Sequence, residues 1–275
     1  MVSNTVWLNG RLVSHARARL GIDDAGFLFG DGIFETVAAR GGHLMAVQRH
    51  WHRMVHACRV MDLHTVSPDE FEAALWAVLG CSGLRDARLR FSISRGVGSR
   101  QTFLATAAEM PDYSKPETVC LSPYFCGSKG PLTGIKSLSY AAQLMMRREA
   151  QRQGCGEALV RNESNELCEA TTSNVFVVIG GRLCTPPLRS GCLPGVMRSV
   201  VIEACANDGL QVEERPLPWG AMTEVEEAFL TSSLRGVQPI GCWQGRPLPA
   251  PGALTQRASA ACGLALEAMR SETGV

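Results

Sequence analysis

Strand-like segments outnumber helix-like segments along this chain, and the two do not alternate regularly. That order argues for an α+β fold over a doubly wound parallel sheet. Residues 6–13 contain Asn9-Gly10, the dipeptide of a tight hairpin turn. Residues 32–39 alternate as a strand, Arg40-Gly41-Gly42 turns the chain, and 43–47 returns. Val47, Trp51, Met54, Val55, Cys58 and Met61 recur at three and four, which places them on one helix face. Ser67-Pro68-Asp69-Glu70 opens a second helix, with Ser67 as N-cap and Pro68 in the first position. Further strands are expected at 88–95, 102–107, 157–160, 174–179, 182–185, 211–215, 228–231 and 237–242, and helices at 139–153, 195–208 and 254–270. The Pro- and Gly-rich stretch 111–134 suggests a domain connection at 124–132. It would join a small N-terminal α+β domain, 1–123, to a larger C-terminal domain, 133–275.

The bulk numbers agree with two domains. The chain has 275 residues, 45% hydrophobic and 19% charged, enough for a sizeable core. A formal net charge of +1 gives no field for nucleic acid. The N-terminus has no basic segment before an apolar core, so no secretory leader is expected. No apolar run reaches membrane-spanning length. The 11 cysteines include no Cys-x-x-Cys pair, and their number is odd. They read as reduced thiols of a cytoplasmic protein, with no metal site expected.

Three motifs carry chemistry, in a fixed order. Gly-Ile-Lys136-Ser-Leu sets an amine between apolar neighbours just before a helix, where poor solvation makes it a usable nucleophile. Glu169-Ala-Thr-Thr-Ser-Asn places a carboxylate beside three hydroxyls, Thr171, Thr172 and Ser173. A carboxylate can keep a pyridine nitrogen protonated, and hydroxyls can bind phosphate oxygens. Leu-Pro-Gly195-Val196-Met197-Arg leads into a helix whose first N–H groups can hold a phosphate. Thr231-Ser232-Ser233 ends a strand and offers further hydroxyls. Arg53 on the first-domain helix can grip a dianion, and Arg100, in the loop 94–100, suits a substrate carboxylate. Taken singly, each has a plain structural reading: a surface lysine, a polar turn, a Pro-Gly turn, a strand end, a solvated arginine. Together they are the parts that hold a phosphorylated aldehyde as a Schiff base.

With Phe29-Gly-Asp-Gly-Ile-Phe-Glu-Thr36, His50-x-x-Arg53, Glu-Ala-Leu-Val (157–160) and Thr-Ser-Ser-Leu-Arg-Gly-Val-Gln-Pro-Ile (231–240), the chain resembles the class IV aminotransferase family. These are the fold-type IV pyridoxal-phosphate enzymes: branched-chain and D-amino-acid aminotransferases and 4-amino-4-deoxychorismate lyases. The resemblance runs from about residue 5 to 245. It implies two α+β domains with pyridoxal 5′-phosphate in the interdomain cleft, and a homodimer. It also implies roles: Lys136 forms the aldimine and shuttles the proton, and Glu169 pairs with the ring nitrogen. Arg53, Thr172, Val196, Met197 and Ser233 hold the phosphate, and Arg100 meets the substrate carboxylate. Three positions depart from the family's patterns: Ala25 where the family often has arginine, Thr102 where D-amino-acid aminotransferases carry a histidine, and Ala141 where branched-chain enzymes place a tyrosine, with Tyr140 one residue off; the second and third count against the transaminases. The motifs around Lys136, 94–100 and 233–239 look more like the lyases. The implied reaction converts 4-amino-4-deoxychorismate to 4-aminobenzoate and pyruvate; separately, the parity of the strand 32–39 turns Thr36 toward the substrate. The alternative is a transaminase acting on D-amino acids or branched-chain amino acids.

Overall fold

The computed structural model describes residues 4–270, so residues 1–3 and 271–275 of the expected domain ranges lie outside the described residues. The chain forms two compact units of mixed helices and sheet.

The first unit holds β1 (Thr5–Leu8), β2 (Arg11–Ser14), α1 (Ala25–Phe29), β3 (Gly32–Arg40), β4 (His43–Leu44), α2 (Val47–Val60), α3 (Pro68–Ser82), β5 (Ala87–Val97) and β6 (Arg100–Glu109). Its six strands form one antiparallel sheet in the order β2-β1-β6-β5-β3-β4. Asn9 and Gly10 both take positive φ, as the two-residue turn between β1 and β2 requires. The apolar stripe of α2 buries Val47, Met54 and Cys58. α3 begins as its sequence dictates: the Ser67 hydroxyl accepts from Glu70 N at 3.1 Å and Pro68 stands in the first turn. Both helices pack with Val37, Leu89, Phe91 and Ile93 of the sheet into one core.

The second unit holds β7 (Glu117–Cys126), α4 (Ala141–Arg152), β8 (Glu157–Asn162), β9 (Leu167–Ala170), β10 (Asn174–Ile179), β11 (Arg182–Thr185), α5 (Val196–Asn207), β12 (Val212–Glu214), β13 (Glu227–Ser232), β14 (Gly236–Trp243), β15 (Arg246–Pro247) and α6 (Ala253–Glu267). Its strands run β12-β11-β10-β13-β14-β7-β8-β9, with β15 on β14. The pairs β11/β12, β14/β7 and β7/β8 are parallel and the others antiparallel. Val175, Val177, Leu159, Leu230 and Ile240 are fully buried, the mark of a sheet covered on its faces.

The units divide the chain differently from the expected boundaries. Residues 112–134 belong to the second unit, while 135–140 and 269–270 belong to the first. β7 explains the first difference: this strand pairs on both sides, so it is part of a sheet and not a linker. Pro123 hides it in the sequence, because proline cannot donate to a ladder. The structure accommodates it with a register shift between Leu121 and Phe125. α1 and β9 are too short for their periodicity to be read from sequence. No described helix is long and apolar enough to cross a membrane.

Candidate active site

In the first unit, two glycines decide where Lys136 lies. Gly30 ends α1 at φ 69, and a Cβ there would meet Ser139 Oγ at 2.5 Å. A Cβ on Gly32 would lie 2.4 Å from Ile93 O and 2.6 Å from Leu138 Cδ1. Only glycine permits that approach, so segment 135–140 can dock against β3. Once there it forms an isolated antiparallel bridge, Ser137 opposite Ile33: Phe34 N donates to Lys136 O at 2.9 Å, and Leu138 N to Gly32 O at 2.8 Å. This backbone pairing draws Lys136 into the first unit, where the sequence suggested the second domain. Lys136 Nζ lies 4.6 Å from the centre of the buried Phe34 ring and 5.5 Å from that of Tyr140. The two rings meet edge to face.

β3 alternates its contacts. Glu35 turns toward α2, where Arg53 Nε donates to Oε1 at 2.8 Å and Arg53 Nη2 to Oε2 at 2.7 Å. His50 Nδ1 lies 2.7 Å from Glu35 Oε2 and must carry the proton, since the carboxylate has none. Burial pushes the Glu35 carboxyl up, but the charge and hydrogen bonds of Arg53, with His50, hold it at about 2. Burial pulls His50 down. Glu35 opposes that, while the positive Arg53 and Lys136 add to it.

Phe34 and Thr36 share the other face of β3 with their cross-strand partners Ser92 and Arg90. Thr36 is half-buried, and its hydroxyl makes no hydrogen bond among the described residues. The Arg90 guanidinium stacks 3.7 Å from the Phe34 centroid. Among the described residues its one hydrogen bond runs from Nε to Ser92 Oγ at 3.1 Å. Burial lowers its pKa to about 10, Arg88 adds to the effect, and Tyr140 opposes it, so it remains a cation at neutral pH. Arg90 therefore shares one aromatic ring with the Lys136 ammonium and keeps its terminal nitrogens open to an anion. Sequence reasoning assigned no role to Glu35 or Arg90. The signal was the strand parity at 34–36 and 90–92, which needs the register to be useful. Arg100 begins β6 opposite Val97, with its side chain exposed. Thr102 donates to Asp24 at 2.7 Å, so its hydroxyl braces the N-cap of α1.

The second unit gathers the remaining residues. Glu169 on β9 pairs with Val160 of β8, and its Oε2 accepts from Leu193 N at 2.9 Å. α5 starts after Gly195 with no side-chain cap, leaving the N–H groups of its first turn, Val196 and Met197 among them, directed off the helix end. Asn174 borders this end: its Nδ2 donates to Leu193 O at 2.9 Å, and a Cβ on Gly195 would overlap its Oδ1. Asn174 pairs with Thr231 across β10 and β13. The hydroxyls of Ser173 and Thr231 are buried without partners among the described residues. Buried polar groups are normally satisfied. Two orphaned hydroxyls beside an uncapped helix start fit the phosphate of the expected cofactor, and the Glu169 carboxylate fits a protonated ring nitrogen. Ser233 follows at the β13–β14 turn, half-buried. Thr172 differs from expectation. Its hydroxyl donates to Glu157 Oε1, and its N–H to Glu157 Oε2 at 3.2 Å. A hydroxyl whose proton is held by a carboxylate has none for a phosphate dianion.

Comparison with known proteins agrees with this architecture. The family described as amino-transferase class IV matches residues 32–243. The chain belongs to the class IV aminotransferase family. It is 27% identical over 270 residues to the D-alanine aminotransferase of Bacillus licheniformis, covering 93% of this chain and 95% of that one. It is 28% identical over 255 residues to the aminodeoxychorismate lyase of Bacillus subtilis, covering 86% and 85%. Among solved structures, a hypothetical aminotransferase from Mycobacterium tuberculosis in its PLP-bound form superposes with a TM-score of 0.89 at 23% identity, over 96% of this chain and 99% of that one.

Proposed function

We propose that this chain is a pyridoxal 5′-phosphate-dependent lyase that converts 4-amino-4-deoxychorismate to 4-aminobenzoate and pyruvate. The observation that carries the reading is Thr36, whose unpartnered hydroxyl shares the β3 face with Phe34, the ring beneath Lys136 Nζ. When bound, the cofactor supplies an electron sink for charge developing at the amine-bearing carbon. Lys136 takes the proton from that carbon as general base. Thr36 or Lys136 delivers a proton to the methylene carbon of the enolpyruvyl group as its C–O bond to the ring breaks. That group leaves as pyruvate, and loss of the C–H and C–O bonds makes the ring aromatic. Glu169 presents its carboxylate to the pyridine nitrogen. Arg53, the N–H groups of Val196 and Met197, and Ser233 hold the phosphate. Arg100 remains a candidate for a substrate carboxylate.

Arg90 favours a second reading, a transaminase acting on D-amino acids or branched-chain amino acids. An open guanidinium on the same ring as the lysine suits the carboxylate of an amino acid. The deciding assay offers aminodeoxychorismate with no keto-acid acceptor. Pyruvate and a fluorescent aromatic amine are expected. No product, together with a shift of the visible cofactor band by D-alanine or leucine alone, replaces the lyase with the transaminase.

We also infer a homodimer. Ile22, Phe27 and Phe29, in and just before α1, are 80%, 73% and 76% exposed, an apolar grouping that suits a second copy of the chain. The free cysteines suit a reducing, cytoplasmic setting. Sedimentation of the purified protein tests the dimer, and a monomer across micromolar concentrations would remove it.

A further inference from the structure

The second unit buries a charge network that the proposed chemistry does not use. Arg235 stands in the turn between β13 and β14 with a side chain 1% exposed. Its Nη2 donates to Glu157 Oε1 at 2.7 Å and its Nη1 to Glu117 Oε2 at 2.8 Å. Nη1 also donates to Gln238 Oε1, and Gln238 Nε2 donates in turn to Lys115 O at 2.8 Å. The guanidinium stacks on Tyr113, 4.4 Å from the ring centre. Glu157, fully buried at the start of β8, accepts the hydroxyl protons of Thr171 and Thr172 as well as Thr172 N–H.

Two turns meet at this pair. One runs from Ala170 to Ser173, closed by Ala170 N donating to Ser173 O at 2.8 Å, and follows directly on Glu169. The other runs from Ser232 to Arg235, closed by Arg235 N donating to Ser232 Oγ at 3.3 Å, and contains Ser233. The Asn174–Thr231 pairing sets both at one end of the sheet. β8 also carries Val160, the strand partner of Glu169. One carboxylate and one guanidinium thus tie the carboxylate-bearing strand and its turn to the hydroxyl-bearing turn.

Stability alone is a weak reason for such a pair. Removing two charges from water is costly, and apolar replacements of equal volume are often neutral or better. A buried, fully hydrogen-bonded network does specify geometry, because each member has a fixed set of partners. We propose that Glu157 and Arg235 are positioning residues. They fix the Glu169–Thr172 segment relative to the Ser232–Arg235 turn, and so set how tightly pyridoxal 5′-phosphate is held and how its ring nitrogen is presented to Glu169. Neither residue touches the cofactor. The inference rests on the cofactor reading above.

The test uses the full chain stripped of cofactor and titrated with pyridoxal 5′-phosphate, following the visible band, with melting of the apo protein measured in parallel. Glu157→Gln and Arg235→Lys are expected to weaken cofactor binding about tenfold or more and to move the pH midpoint of the bound band. Thr171→Val is the milder variant: it keeps shape and removes one hydroxyl from Glu157. It is expected to weaken binding severalfold with little change in apo melting. If Glu157→Gln does not fold, Thr171→Val decides. Binding and band unchanged in every folded variant would overturn the proposal, as would losses that follow apo melting alone with an unmoved band. Wild-type protein that takes up no cofactor would instead remove the reading on which it rests.

Discussion

Arg53 grips Glu35 with both arms of its guanidinium, Nε on Oε1 and Nη2 on Oε2, while His50 closes on Oε2 from the same helix. The fork holds Arg53 in one orientation, so a cation proposed to bind phosphate is already ordered before any ligand arrives. Preorganisation of this kind removes an entropic cost from binding.

The same contact predicts how the fold responds to acid. Glu35 falls from 4.5 to about 2 on folding, so its stabilisation is complete above pH 4.5 and lost as the pH drops toward 2. The amount is on the order of 3 kcal/mol. His50 is also lowered from 6.5, so its contribution is present above 6.5 and declines as the medium acidifies. Melting temperature should therefore decline in acid, with two contributions. Glu35→Gln should be less stable at pH 7 and lose the part of the decline between 4.5 and 2. Thermal melts from pH 8 to 2 check this, and a variant curve parallel to wild type would contradict it.

Gly32→Ala places a methyl group against Ile93 O and Leu138 Cδ1. Overpacking of that kind costs about 1–3 kcal/mol. Because the backbone of 136–138 pairs at this point, the variant should also lower cofactor uptake. Gly80→Ala, inside α3 where a Cβ meets nothing within 4 Å, is the control: it should leave cofactor uptake unchanged and, as alanine replaces glycine in a helix, raise melting slightly. Melting and cofactor titration of the two variants give the comparison.

Thr36→Val keeps the strand's shape and removes the open hydroxyl. If Thr36 moves a proton in the lyase reaction, kcat should drop by about 10²–10⁴ with KM little altered. Thr36→Ser should recover most of the rate. Equal kcat in all three proteins would leave Thr36 without a catalytic part.

Arg90→Met removes a cation whose terminal nitrogens make no hydrogen bond among the described residues, so melting should change little or rise. KM for a carboxylate substrate should rise, by about tenfold or more for a lost charge-assisted contact. Steady-state kinetics on the variant, with cofactor saturating, measures it. An unchanged KM would place the substrate carboxylate elsewhere.

Much of the architecture was readable from local pattern. The hairpin at Asn9-Gly10, the stripe of α2 and the Ser67–Pro68 start of α3 depend on residues within a few positions of one another, and turn, cap and periodicity rules act over that distance. β7 was not readable, because Pro123 mimics a linker and only pairing on both sides makes the segment a strand.

The candidate site divides along the same line. Sequence alone determined the types and order of the chemical groups: amine at 136, carboxylate at 169, helix start at 196, hydroxyls near 233. Tertiary structure decided their partners. It gave Glu35 to Arg53, set Arg90 opposite Thr36, drew Lys136 onto β3 through Gly32, and turned Thr172 toward Glu157. Each of these joins residues 15 to 104 positions apart in the chain, taking Gly32 with Lys136 as the longest. Register and packing choose such partners, and both come from the burial of the whole sheet, which no short window of residues contains.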